Sequence, residues 1–112
     1  MYRFLKLKYI FLPIIIAIIV IFNFYNYPST WDKIQLGQER ISTHQNIGSP
    51  DVGAWEVKGD IWFKESFLSW HRLDILYNRD TIVYGYSISY HIGTQTNYYR
   101  FNVKSKFRNA SI

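Results

Sequence analysis

The feature that most constrains this 112-residue chain is the run Tyr9 to Phe24, YIFLPIIIAIIVIFNF, which is almost unbroken in its apolar character and carries no charge. Its one helix breaker, Pro13, lies near its start. Extended to Tyr27 the stretch has 19 residues, interrupted by Asn23 and Asn26. As a helix it would measure about 28 Å, matching the roughly 17–25 residues that a bilayer-crossing segment needs. Arg3, Lys6 and Lys8 precede it, whereas the 15 residues after Phe24 hold a single Lys or Arg, Lys33, beside Asp32. This asymmetry predicts a cytoplasmic N-terminus. Between Ala17 and Ser29 no small-residue cleavage site is offered, so the segment reads as an uncleaved signal-anchor rather than a secretion signal. Tyr9 at one end and Tyr25, Tyr27 and Trp31 at the other occupy the positions of interfacial aromatic belts. The expected organisation is a basic cytoplasmic tail over 1–8, a transmembrane helix over 9–27 in contact with the lipid bilayer, and a small extracytoplasmic domain over 28–112. The expected location is a bacterial inner membrane, crossed once, with the C-terminal domain in the periplasm.

The charge divides along the same line. Removing Arg3, Lys6 and Lys8 from the 13 Lys and Arg leaves 10, against 8 Asp and Glu, so the domain nets only +2. That is an ordinary solvated surface, and no nucleic-acid partner is expected. Arg100, Lys104, Lys106 and Arg108 follow the last acid, Asp80. They are either a solvated tail or a contact for anionic headgroups. The absence of Cys excludes disulfides, thiolate metal sites and a lipidated N-terminal Cys.

Beyond Pro28 the pattern is helical, then extended. Ser29 or Thr30 can cap a short turn over WDKIQ. A second helix is expected over Gln38–Asn46, stopped by Gly48 and Pro50. From Ala54 the period becomes two. In AWEVKGDIWF the apolar face is assigned to Trp55, Val57, Gly59, Ile61 and Phe63, with Glu56, Lys58, Asp60 and Trp62 opposite. In SWHRLDILYN, His71, Leu73, Ile75 and Tyr77 face inward. In TIVYGYSISYHI, Ile82, Tyr84, Tyr86, Ile88, Tyr90 and Ile92 alternate with Val83, Gly85, Ser87, Ser89 and His91. Asn78-Arg79-Asp80 and Gly93-Thr94 suit turns, and NYYRFNV adds a further short strand. The expected fold class is α+β: an N-terminal transmembrane helix, then two short helices packed on a three- or four-stranded antiparallel sheet.

Between Trp31 and Asn78 the chain places Ile34-Gln35-Leu36-Gly37-Gln38, a short expected helix, Ile47-Gly48-Ser49-Pro50-Asp51, a Trp-bearing strand at Ile61-Trp62, and Leu73-Asp74-Ile75-Leu76-Tyr77-Asn78. This arrangement resembles the SmpA/OmlA (BamE-like) domain family. The chain departs from the family pattern at Gly37-Gln38-Glu39-Arg40, which lacks a Ser or Thr cap, and in having no lipidated Cys. The resemblance implies two helices against an antiparallel sheet and a non-catalytic role in protein–protein contact in a bacterial envelope.

No enzymatic motif stands out. His44, His71 and His91 lie on different expected elements without ligand spacing, so neither a metal nor a cofactor is expected. Arg72 and Asp74 share a strand face and suit an ion pair, worth about 0.5 kcal/mol if exposed. No nucleophile elbow, phosphate loop or glycosidase carboxylate pair is present. Asn109-Ala110-Ser111 is a formal glycosylation triplet. The aromatic surplus is more informative. Trp62 and Trp70 fall opposite the apolar stripes of their strands, and adjacent Tyr98 and Tyr99 cannot both face inward. With Arg72 they are the expected partner-binding residues, since Trp, Tyr and Arg dominate interface anchors. The expected function is a membrane-anchored protein-interaction domain. The alternatives are a tethered immunity or inhibitor protein and an accessory subunit of a membrane complex.

Overall fold

The computed structural model describes residues 2–53, 58–66 and 68–108, the side chains of 2–8 excepted. Helix α1 spans Tyr2–Phe24, with Pro13 inside it. A 3-10 helix, Ser29–Lys33, and helix α2, Arg40–Ile47, precede the strands β1 (Val52–Gly53), β2 (Gly59–Ser66), β3 (Ser69–Tyr77), β4 (Val83–Gly93) and β5 (Tyr98–Phe107). All five form one antiparallel sheet in chain order.

This corrects the expected fold class in two respects. The sheet has five strands, because β1 pairs through Val52 and Gly53 and β5 runs for ten residues. The expected transmembrane helix does not fit either: among the described residues no helix is long and apolar enough to cross a membrane. α1 ends at Phe24 rather than Tyr27. The carbonyl of Phe24 would take its helical bond from residue 28, which is Pro and has no N–H, so the helix stops there. The apolar part with described side chains, Tyr9 to Phe24, rises about 24 Å, against a hydrocarbon core of about 30 Å. Every large apolar side chain from Tyr9 to Phe22 is exposed.

Trp31 is not part of an aromatic belt. It is 3% exposed and packs with Ile34, Trp62, Leu73, Ile75, Tyr77, Val83, Tyr86 and Ile88 in the core. The core lies on one face of the sheet, under the 3-10 helix and α2. The 3-10 helix starts after Pro28 without a side-chain cap, so Ser29 and Thr30 do not serve that way. At the end of α2, Gly48 has φ +105°, and its N–H donates to the His44 carbonyl, the backbone shape that glycine allows at a helix C-terminus.

The alternation holds on β3, where His71, Leu73, Ile75 and Tyr77 are all buried. It is inverted on β2. Asp60 and Trp62 face the core, and Phe63 is exposed. Residues 54–57, with Trp55 and Val57, lie outside the described residues. On β4 the pairing slips at Tyr84, because Leu76 opposes Gly85 and Tyr77 opposes Val83. This bulge turns Val83 inward beside Tyr86, Ile88 and Tyr90. The β3–β4 turn closes at Asn78, whose Oδ1 accepts the N–H groups of Asp80 and Ile82 at 2.9 and 3.1 Å.

Candidate binding face

The core face of the sheet is closed partly by charge. The Asp60 carboxylate is fully buried and accepts four hydrogen bonds. They come from Arg40 Nη2 (2.7 Å), Arg40 Nε (3.2 Å), Tyr77 Oη (2.7 Å) and His44 Nε2 (2.6 Å). Arg40 also lies over the Tyr77 ring at 4.7 Å. Gly53 permits this approach, since a Cβ there would collide with Asp60 Oδ1. Burial alone would raise the Asp60 pKa, but the bonds from Arg40, His44 and Tyr77, with the Arg40 charge, hold it below the ordinary carboxylate value. Burial and the Asp60 carboxylate push the Tyr77 hydroxyl upward. A carboxylate with both oxygens engaged by its own fold has no free geometry for acid–base chemistry. The cluster ties α2 to β2 and β3.

The opposite face is different. Strand pairing sets Trp70 beside His91 and Phe63 beside Arg72, with Arg100 opposite His91 and Tyr98 opposite Gly93. Facing partners in an antiparallel pair point to the same side, so these residues share one surface. Trp70 stacks on His91 with centroids 4.9 Å apart and planes 11° apart. Tyr98 meets Trp70 edge-on at 5.2 Å and His91 at 4.9 Å. Arg72 is held by Asp74 through three hydrogen bonds of 2.9–3.0 Å, and its guanidinium lies 6.0 Å from the Phe63 ring centre. Together they border a groove of about 510 Å³, with Leu68 and Ser66 at the β2–β3 hairpin and Thr94 and Gln95 at the β4–β5 turn.

His91 is buried beneath this cluster, and its Nε2 shares a 2.9 Å hydrogen bond with Ser89 Oγ. Its Nδ1 is buried without a partner among the described residues. Burial lowers its pKa, and the cations Arg100 and Arg72 lower it further, with Asp74 opposing. Neutral His91 is therefore a flat supporting ring for Trp70.

Of the five expected binding residues, Trp70, Arg72 and Tyr98 converge here. Trp62 does not: it is 5% exposed in the core, and its ring meets the His44 ring edge-on at 6.0 Å. The error follows from the inverted parity of β2. Tyr99 is 75% exposed but opposes Ile92, on the core side of the sheet. Sequence reasoning left His91 and Phe63 out of the group. Their placement depends on the register of β3 against its neighbours, which no local pattern encodes. Among the described residues no group of three or more His, Cys, Asp or Glu could hold a metal ion. No family model matches this chain, and neither the curated proteins nor the solved structures contain a match.

Proposed function

We propose that this chain is a lipid-tethered, non-catalytic domain that binds another protein through the outer face of its sheet. The observation that carries this reading is the Trp70–His91–Tyr98 cluster, a rigid aromatic platform on the face opposite the helices. Rings braced by one another lose little side-chain freedom on binding, and a pre-positioned arginine such as Arg72 loses less still. The tether is α1. Its apolar side chains are exposed on every side, and moving each into lipid is worth about 1.5–3 kcal/mol. The resemblance of residues 31–78 to SmpA/OmlA domains supports an envelope setting.

The test is a pull-down from detergent-solubilised membranes with the intact chain and a Trp70→Ala, Tyr98→Ala variant of unchanged melting temperature. Trp62 is left intact because it is core. A partner captured by the intact chain and lost from the variant is expected. Retention of every captured partner by the variant would overturn the assignment of the groove. Removal of residues 2–24 should release the domain from the membrane fraction, and release of the intact chain by an alkaline wash would refute the tether. If exchange of α1 for an unrelated lipid-inserting helix abolishes capture, specificity resides in α1 and the accessory-subunit reading replaces this one.

A further inference from the structure

β5 is the last strand of the sheet, and nothing pairs with its outer edge among the described residues. Nine of its ten residues are exposed, all but Val103. Along such an edge alternate backbone N–H and C=O groups point outward, ready to pair with a further strand. Two features limit what that strand can be. β5 carries Arg100, Lys104 and Lys106, contains no acid, and is followed by Arg108. It also exposes Tyr98, Tyr99, Phe101 and Phe107.

A second copy of this chain fits poorly. The β4–β5 register slips at Val103, so Arg100 lies on the groove side of the sheet and Lys104 and Lys106 on the core side. Antiparallel self-pairing centred on Arg100 or on Lys106 sets that cation opposite its own copy, and centring on Ser105 sets Lys104 opposite Lys106 twice. Like charges directly opposite one another destabilise a sheet pair. Lys104 is partly neutralised by Asp32 at 3.5 Å, whereas Arg100 and Lys106 have no ion-pair partner among the described residues. An acidic strand reverses this term at both positions and meets exposed rings with which its apolar residues can form cross-strand pairs.

We infer that β5 receives an extended acidic segment of a partner protein as a sixth strand, rather than a second copy of this chain. The inference rests on reading the domain as a protein-binding module and deepens it, because Tyr98 both borders the groove and begins β5. Main-chain bonds then supply affinity along the edge, and Arg100 and Lys106 select for acids.

The test uses the full chain in non-ionic detergent and a fluorescein-labelled decapeptide of Glu, Thr and Val. Its controls are the same peptide with Lys for every Glu, and the Glu peptide methylated at every backbone nitrogen. The expected result is at least tenfold tighter binding of the Glu peptide than of the Lys peptide, with binding lost on methylation. The Arg100→Glu, Lys106→Glu variant is expected to reverse the preference. Equal binding of the two peptides, or binding of neither, would overturn the inference, and both results come from the unaltered chain. Unchanged binding of the methylated peptide would reduce the contact to simple charge attraction and overturn it too. Failure of the groove assignment would appear separately, as a captured partner retained by the Trp70 and Tyr98 variant.

Discussion

His71 Nε2 donates to the carbonyl oxygen of Phe24 across 2.8 Å, so a sheet side chain closes the last turn of α1. The acceptor is the carbonyl that Pro28 leaves without a helical donor. The Phe24 ring meets Tyr90 at 5.8 Å, and the rings of Tyr27 and Tyr90 flank His71 at 5.6 and 4.7 Å. Tyr27 Oη in turn donates to Asp32 at 2.7 Å, and burial together with that bond pushes the Tyr27 pKa up to about 12. The join between helix and domain is thus a packed polar-aromatic contact rather than a free linker.

His71→Phe keeps a ring between Tyr27 and Tyr90 but removes the donor. The orphaned Phe24 carbonyl should cost about 1–3 kcal/mol. Urea unfolding followed by tryptophan fluorescence measures the loss, and limited proteolysis should show earlier cleavage in residues 25–30. A change under about 0.5 kcal/mol with unaltered proteolysis would mean that the hydrogen bond does not hold the helix in place.

How much of this was legible in the sequence depended on where polar residues lay. β3 and most of β4 followed their alternation because their inward positions are apolar or aromatic, apart from His71. β2 was misread because a charged residue, Asp60, belongs to the core face, and its partners Arg40, His44 and Tyr77 come from 16 to 20 residues away in the chain. Local periodicity then assigned Gly59, Ile61 and Phe63 inward and carried Trp62 outward with Asp60. The bulge at Tyr84 was equally hidden, since it is defined only by pairing with β3. The Asn78–Asp80 turn and the Gly48 helix end were legible, because turn chemistry is local. The candidate face was legible for Trp70, Arg72 and Tyr98, whereas the packing of Trp70 on His91 required the sheet register.

Asp60→Ala removes from the buried Arg40 the carboxylate that it meets at 2.7 Å. Removing one partner of a buried pair costs about 3–5 kcal/mol. Arg40→Met on the Asp60→Ala background removes the buried cation and should recover part of that loss. Melting curves of the single and double variants decide this. A double variant no more stable than Asp60→Ala alone would show that packing, not the loss of the Arg40–Asp60 pair, dominates.

Thr81 adopts φ +61°, a left-handed conformation in which a β-branched residue is strained. The β3–β4 turn imposes it: the Thr81 N–H donates to the Asn78 carbonyl, and the Thr81 carbonyl accepts from Arg40 N–H. Thr81→Asn keeps these backbone bonds in a residue that tolerates the conformation. It should stabilise the fold by about 1 kcal/mol, raising the urea midpoint without changing the slope. A destabilised variant would assign the net benefit to the Thr81 Oγ1 bond to the Asp80 carbonyl at 2.6 Å.

Acid should weaken the fold in two separate windows. Burial lowers the pKa of His71, with Lys64 adding to the effect and the Phe24 bond opposing it, and His91 is lowered as well. Between the folded values and the ordinary 6.5 the unfolded chain binds more protons than the folded one, so stability rises with pH there. Acidification below about 6.5 should therefore cost up to ~1.4 kcal/mol per pH unit for each histidine. Asp60 has the opposite chemistry and a lower window. Its folded pKa lies below 3.8, so its contribution is complete above 3.8 and is lost as pH falls through the folded value. Urea unfolding at pH 7.5, 6.5, 5.5 and 4.5 should show the decline beginning near 6.5 and shallower in His71→Phe, which has no imidazole to protonate at that position. A stability that stays level down to pH 4.5 would mean that both imidazoles take up protons inside the fold, which is incompatible with the burial that lowers their pKa values.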